Sequence, residues 1–413
     1  MAAVSLNQFA PSASRRKYDE SMKLKQDPAD FTVEELTAAR PEPRGPFAFY
    51  RMQKIGWTTP DALQIVCRRW DLAWNRLAYG GLKDRHAETI QYLTIDGGPE
   101  RDLEHERLYL RYLGRRTEPY TSRSIAANRF GIVLRSLAPD EAKAIIAKCE
   151  HVAEFGAPNY FDDQRFGSVT ADCRFIGREL VFGRFEEALK LALVEPYAFD
   201  RAESKAEKAI LRAHWGDWPA CKAKLPKGHA RSLVTYLCDH PTKFKGAIER
   251  LRPELQGLYL SAFQSELWNR ILDRWLKAEL PPEQLGAVTL WRGDLAAPQS
   301  ARPEWLERWR TLEIPLPSPR IRDEEHAEIL PLIDAVLAEE NLTRKQLKVP
   351  GLDRPFFSKG IRPACLQPQH LAAERQPDDK HRGRDRVNLN FDLIRGAYAT
   401  MVVKCLTGQR DAE

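Results

Sequence analysis

Asp84 is the residue whose neighbours point most directly to chemistry. In Lys83-Asp84-Arg85-His86 one carboxylate stands among three side chains that can carry positive charge, just after the paired glycines Gly80-Gly81. Such neighbours favour an ionised carboxylate. An ionised Asp can serve as nucleophile or general base, and Lys83 or Arg85 can hold a phosphate backbone beside it. Taken alone, a solvated turn with local ion pairs is the commoner fate of such a segment.

A second cluster, Asn159-Tyr160-Phe161-Asp162-Asp163-Gln164-Arg165-Phe166-Gly167, alternates aromatics with amide, acid and arginine. Asn and Gln read base edges and rings stack on bases, a combination suited to holding one extruded nucleotide. Pinning a loop to the core is the commoner use of Tyr and Phe. Asp162-Asp163 lacks a third ligand, which makes it weak evidence for a metal. Residues 388–400 set Gly396 and small residues beside aromatics, which close backbone approach explains. Residues 262–270 read as helix, with Phe263, Leu267 and Arg270 on one packing face.

Other chemistries lack their signatures. The sequence has no P-loop, Rossmann glycine fingerprint, HExxH or GxSxG elbow, and its nine His residues show no paired spacing. No metal and no cofactor are expected. Seven scattered cysteines without a CxxC pair argue against a disulfide framework or a zinc knuckle.

The elements that position these residues divide the chain by texture. Residues 1–26 are polar and basic (Arg15, Arg16, Lys17, Lys23, Lys25) and read as a mobile or nucleic-acid-facing arm. Strands are expected at 31–33, 47–52, 77–79, 90–95, 107–113 and 130–135, so the Asp84 segment is a loop between strands. A helix follows Thr59, read as its N-cap, with Pro60 in the first turn; a second runs over 139–155 and closes at Gly156. Beyond about residue 175 helical patterns dominate, at 184–194, 201–213, 257–278 and 323–340. Residues 374–386 read as an exposed charged loop, and 387–391 and 400–406 as strands.

Composition bounds the class. With 413 residues, 43% hydrophobic and 30% charged, the chain is globular and long enough for two or three domains. No uninterrupted hydrophobic run exceeds four residues, against the ~20 of a membrane helix. Residues 1–14 lack the pattern of a signal peptide, so the expected address is the cytosol, without membrane partners. The net charge of +6 is mild, but residues 107–129 carry six Arg against one Glu, and 341–363 six Lys or Arg against one Asp. Either stretch could face phosphates or simply be solvated.

Taken in order, the motifs resemble the TruD family of pseudouridine synthases. The residues that carry the resemblance are Gly81-Leu82-Lys83-Asp84-Arg85-His86-Ala87 with Thr89 and Gln91, then Asn159 to Gly167, Phe263 to Asn269, and Gly396-Ala397-Tyr398-Ala399-Thr400. Asp30-Phe31-Thr32-Val33-Glu34-Glu35 is similar to the family's N-terminal motif, which extends the match over about residues 23–406.

The resemblance implies an α+β fold: a pseudouridine-synthase core with a mixed antiparallel sheet, residues 27–175 and 365–413, interrupted by a mainly helical insertion, 176–364, that forms the other wall of an RNA cleft. It implies isomerisation of uridine to pseudouridine in RNA, with tRNA the usual substrate and position 13 the usual bacterial target, without metal or cofactor; a monomer is expected. By the same resemblance Asp84 is the catalytic aspartate, Phe31 and Phe391 contact the target base, and Asn159 hydrogen-bonds near Asp84. Phe161 is a further stacking candidate. Lys25 is similar to the basic residue ahead of the Asp-Phe pair, with Lys23 as the alternative. Asp162 replaces a usual glycine and Ile394 a usual proline, departures that bear on substrate choice more than on reaction type. Competing readings are a noncatalytic RNA-binding protein, a synthase acting on another RNA, and a metal-dependent nuclease using Asp84, Asp162 and Asp163.

Overall fold

Alternating burial builds the first elements of the computed structural model, which describes residues 22–197, 200–290 and 292–408. After β1 (Lys23–Leu24) comes β2 (Phe31–Thr37), with Phe31, Val33 and Glu35 facing inward, and then β3 (Phe47–Ile55), with Ala48, Tyr50, Met52 and Lys54 in one inward phase. Helix α1 (Thr59–Trp70) is capped by Thr58, whose hydroxyl accepts from the Asp61 N–H at 3.2 Å, and it stops at Asp71 in the left-handed region. The expected cap, Thr59, is instead the first helical residue and is free for another task. Ala62, Leu63 and Val66 of α1 form one cluster with Tyr50, Met52, Leu93, Leu108 and Leu110. Burying a Leu or Val side chain contributes roughly 1.5–3 kcal/mol.

The chain continues through β4 (Leu77–Tyr79), β5 (Glu88–Asp96), β6 (Leu103–His105), β7 (Leu108–Arg116), β8 (Ile125–Leu137), α2 (Pro139–Phe155) and β9 (Ala157–Pro158). Then come helices α3 (Ile176–Val181), α4 (Phe185–Leu193), α5 (Ala202–His214), α6 (Trp218–Lys224), α7 (His229–Asp239), α8 (Phe244–Glu249) and α9 (Pro253–Glu279). The hairpin β10 (Leu285–Leu290) and β11 (Gly293–Pro298), α10 (Pro303–Thr311), β12 (Glu313–Pro315), α11 (Leu330–Glu339) and β13 (Ile361–Pro363) complete this stretch. Last are β14 (Cys365–Leu366), β15 (Gln369–Pro377), β16 (Asp385–Ile394) and α12 (Ala399–Thr407).

Contacts divide the chain into Tyr160–Ala364 and a unit made of the described residues on either side of it. The inserted unit thus begins ahead of the change in texture near residue 175. Tyr160 and Phe161 explain why: the Tyr160 hydroxyl donates to the Ala296 carbonyl at 2.9 Å, and the Phe161 backbone exchanges two hydrogen bonds with the Asn269 side chain. Within this unit Trp275, Trp305 and Trp309 stack on one another at 5.7–6.0 Å, so three of its tryptophans are packing residues.

In the other unit ten strands form one sheet in the order β15-β16-β8-β2-β5-β3-β7-β6, with β1 on β8 and β4 on β5. Every pairing is antiparallel except β2 with β5. Helix α2 packs on β15 and β16, and α12 packs on α2.

Two expectations about these elements are corrected. Residues 374–386 are the two arms and turn of the β15–β16 hairpin. Their charge reflects the edge position of β15, where one row of backbone groups and most side chains meet water. Residues 400–406 form the helix α12, because burial on nearly all sides, not a two-residue alternation, explains their apolar run. Residues 1–21 of the expected arm, including Arg15, Arg16 and Lys17, lie outside the described residues. The arm's last part is anchored: Met22 is buried and Lys23 and Leu24 pair with Arg135 and Leu134.

Candidate active site

Three neighbouring strands set an aromatic row on one face of the sheet. Phe391 on β16 stands opposite Phe130 on β8; Phe31 on β2 lies two residues from Val33, which stands opposite Phe130 from the other side. With a side-chain period of two, these registers put all three rings on the same face. Phe130 and Phe391 stack at 5.7 Å, and Phe31 meets Phe130 edge-on at 6.2 Å. The row is buried, with Phe31 4% and Phe391 1% exposed, so contact between the Phe391 ring and a ligand requires its covering side chains to move.

Lys25 joins this row to the loop of charged residues. Its ammonium lies 3.8 Å from the centre of the Phe31 ring and 3.1 Å from Asp84 Oδ2. The backbone at Lys25 is in the left-handed region (φ 56°), a conformation that costs a non-glycine residue on the order of 1 kcal/mol and that neighbouring contacts must hold.

The loop carrying Asp84 is fixed from beneath. At Gly80 an added Cβ would fall 2.4 Å from Ile125 Cδ1, so a larger residue there would require the Ile125 side chain to move. Thr59, displaced from its expected capping role, accepts the Lys83 N–H at 2.9 Å and donates to Gln91 Oε1 at 2.9 Å; Gln91 in turn donates to the Gly81 carbonyl at 3.3 Å. Lys54, fully buried, donates to the carbonyls of Trp57 at 2.7 Å and Asp84 at 2.9 Å. Burial pulls the Lys54 ammonium down to about 8, against the opposing pull of the Asp84 carboxylate.

The charged neighbours of Asp84 take different directions. Lys83 turns inward, pairing with the buried Glu35 at 3.2 Å and donating to Asn128 Oδ1 at 2.6 Å. It therefore anchors the loop in place of the phosphate-facing position expected from the sequence. Arg85 is exposed and donates to the Gly56 carbonyl at 3.2 Å. Asp84 keeps a half-exposed carboxylate, with 54% of its side chain accessible, on a backbone that cannot follow it outward. A rigidly held, accessible carboxylate beside a cation and an aromatic face can meet a sugar carbon or proton while the ring holds a base.

Asn159 is buried directly after β9. Phe161 belongs to the Tyr160–Ala364 unit, where it packs edge-on to Trp268 at 5.6 Å with the Arg362 guanidinium 4.1 Å above its ring. Asp162 is fully buried there, which removes it from any solvent-facing charge pattern. Among the described residues no group of three or more His, Cys, Asp or Glu side chains is placed to hold a metal ion. In the basic stretches, Arg115 and Arg129 pair with Glu100 and Asp392, and Arg344 pairs with Asp323 and Asp334, while Arg107, Arg111 and Arg123 are exposed.

Sequence reasoning missed Lys54, Thr59, Glu35 and Asn128 as parts of the site. For Lys54 a signal existed. It continues the inward phase of Ala48, Tyr50 and Met52, and a lysine in such a phase has to find polar partners inside. Nothing local in the sequence marks Asn128, whose contact with Lys83 arises only from the pairing of distant strands.

Comparisons with known proteins place nearly the whole chain in one family. Residues 19–406 match the family model described as tRNA pseudouridine synthase D (TruD). A relative from Methanococcus maripaludis, named "Probable tRNA pseudouridine synthase D 1", is 28% identical over 93% of this chain and 98% of its own length. The Aquifex aeolicus "tRNA pseudouridine synthase D" is 28% identical over the same shares. A Methanosarcina mazei crystal structure assigned to TruD superposes with a TM-score of 0.72 at 23% identity, covering 94% of both chains, a likeness of fold.

Proposed function

The chain belongs to the TruD family of tRNA pseudouridine synthases, and from that premise we propose that it isomerises uridine 13 of tRNA with Asp84 as the catalytic carboxylate. That it is a pseudouridine-forming isomerase acting on tRNA follows from the family; the position and the residue roles are our reading.

The reaction breaks the bond from C1′ to N1, turns the uracil and joins C1′ to C5. N1 gains the proton that C5 gives up, so the change is an isomerisation without net oxidation. One carboxylate must stand beside the sugar, either adding to C1′ or removing a ribose proton, and the detached base must be held meanwhile. The observation that carries the reading is the Asp84 carboxylate, half-exposed on an immobilised backbone and in contact with Lys25 over Phe31. In this reading Lys25 orients the carboxylate, and Phe31 and Phe391 receive the extruded base, whose unstacking costs a few kcal/mol offset by contacts elsewhere. In the same reading Asn159 contributes to the nucleotide's surroundings, the exposed Arg85 serves the phosphate backbone, and Lys83 holds the root of the loop. The chain, in this reading, acts as a monomer in the cytosol. Among the described residues no helix is long and apolar enough to cross a membrane.

The test is to incubate the protein with total tRNA lacking the modification and map pseudouridine. New pseudouridine at position 13 supports the reading. Product at another position keeps the reaction and overturns the assigned site, and binding without product on any RNA favours the noncatalytic alternative.

A further inference from the structure

We propose that the turn of the β15–β16 hairpin, residues 378–384, is a positioning device for the active site: it clamps the segment 26–30 and thereby fixes Lys25 against Asp84. The inference rests on the reading of Lys25 and Asp84 given above and assigns a role to residues more than 350 positions from Lys25 in sequence.

Arg135, near the end of β8 and 5% exposed, is the centre of the clamp. Its guanidinium donates from Nε to both oxygens of Asp30 at 2.9 and 3.0 Å, and from Nη1 to Asp378 Oδ1 at 3.0 Å and Asp379 Oδ1 at 2.8 Å. Arg386 adds a second cation to Asp379. One buried cation thus ties the residue just before Phe31 to the first two residues of the hairpin turn. A fork of five donors suits this use, which a lysine could not copy.

The next two turn residues reach the same segment directly. Lys380 pairs with Asp27, and His381 Nε2 donates to Gln26 Oε1 at 2.8 Å. Asp27 and Asp30 are themselves locked together, the Asp27 N–H donating to Asp30 Oδ2 at 2.9 Å and the Asp30 N–H to the Asp27 carbonyl at 3.0 Å. The turn keeps its own shape through Asp378: its carboxylate accepts from the N–H groups of Ser136 at 2.8 Å and Lys380 at 2.9 Å.

Lys25 stands at the edge of everything this clamp holds. On one side β1 ties Lys23 and Leu24 to Arg135 and Leu134; on the other, Gln26, Asp27 and Asp30 are tied to the turn. Between these two anchors the backbone of Lys25 is held left-handed, and its ammonium is delivered to the Phe31 face and to Asp84. Single-residue strain of this kind persists only where the surroundings over-determine it. Lys380 and His381 touch neither Asp84 nor the aromatic row in this arrangement, so they are positioning residues that act through Lys25.

The experiment is a double-mutant cycle in the full-length protein between Lys380→Ala/His381→Ala and Lys25→Met, with kcat and KM measured on unmodified tRNA and melting temperature recorded for each variant. The pair of turn substitutions leaves Arg135 and its buried carboxylates intact, so folding is retained. The expected result is a three- to tenfold loss of kcat for the turn variant, KM within twofold and melting within a few degrees of wild type. In the Lys25→Met background the same turn substitutions should add no further loss. A turn variant with wild-type kcat overturns the clamp, as does a loss that multiplies in full with that of Lys25→Met. Full activity in Lys25→Met alone overturns instead the assigned role of Lys25, and the clamp with it.

Discussion

Lys54 holds Asp84 by its backbone: its buried ammonium donates to the Asp84 carbonyl at 2.9 Å while the half-exposed Asp84 carboxylate pairs with Lys25. The loop carrying Asp84 is therefore not a free turn. Its backbone is held by a buried ammonium, which burial pulls below the usual lysine range.

Lys54→Met should remove this support, leaving the carbonyls of Trp57 and Asp84 without their donor. Steady-state kinetics should show a roughly 10- to 100-fold lower kcat, the scale of effect that a small misplacement of a reacting group produces. Stability should also carry a pH signature. Lys54 releases its proton near pH 8 when folded, against 10.5 for the free side chain, so between these values the unfolded chain holds the extra proton. Wild-type stability should then rise relative to Lys54→Met as pH climbs from about 8 to 10.5. Chemical denaturation across that range reads the difference directly, and a falling one would contradict the assignment.

Lys83→Met should act on folding before chemistry. It strands the buried Glu35 carboxylate, a loss of about 3–5 kcal/mol when one partner of a buried pair is removed. Lys83→Met/Glu35→Gln should recover much of that stability. Equal stability of single and double variants would show that the pair is not a unit.

Phe391→Leu separates packing from base contact. It keeps most of the buried volume, so melting should shift by only a few degrees, whereas loss of the ring's stacking face should lower kcat/KM about tenfold. Unchanged kcat/KM would leave Phe391 a core residue behind Phe130.

Affinity for tRNA should fall steeply as salt rises, because cations on the protein displace counterions from phosphates. Binding titrations at several salt concentrations, with Arg111→Ala and Arg123→Ala compared to wild type, should give a shallower slope for any variant whose arginine meets the backbone. Salt-insensitive association would contradict a phosphate-facing surface.

Much of this site could be read from the sequence because it is written in short motifs. Asp84 with its glycine-framed loop, and Phe31 behind Asp30, are local patterns, and the strands flanking them alternate visibly. What escaped reading depends on pairing between distant strands. Asn128 meets Lys83 only because β8 lies beside β2, and Arg135 gathers Asp30, Asp378 and Asp379 only once β16 has folded onto β8. Residues 374–386 looked like a loop for the same reason: an edge strand carries the composition of a surface, and its partner is not apparent from its own side chains. Thr59 shows the opposite failure. A threonine before Pro60 satisfies the pattern of a helix cap, but Thr58 takes that place and leaves Thr59 to hold the loop.

Asp84→Asn keeps size and hydrogen-bonding shape while removing the carboxylate, so it isolates the proposed chemistry of that residue. Single-turnover formation of pseudouridine on tRNA, measured beside melting temperature and tRNA affinity, should fall roughly 1000-fold or more while the other two stay near wild type. Pseudouridine formation at the wild-type rate in that variant would exclude Asp84 as the catalytic carboxylate.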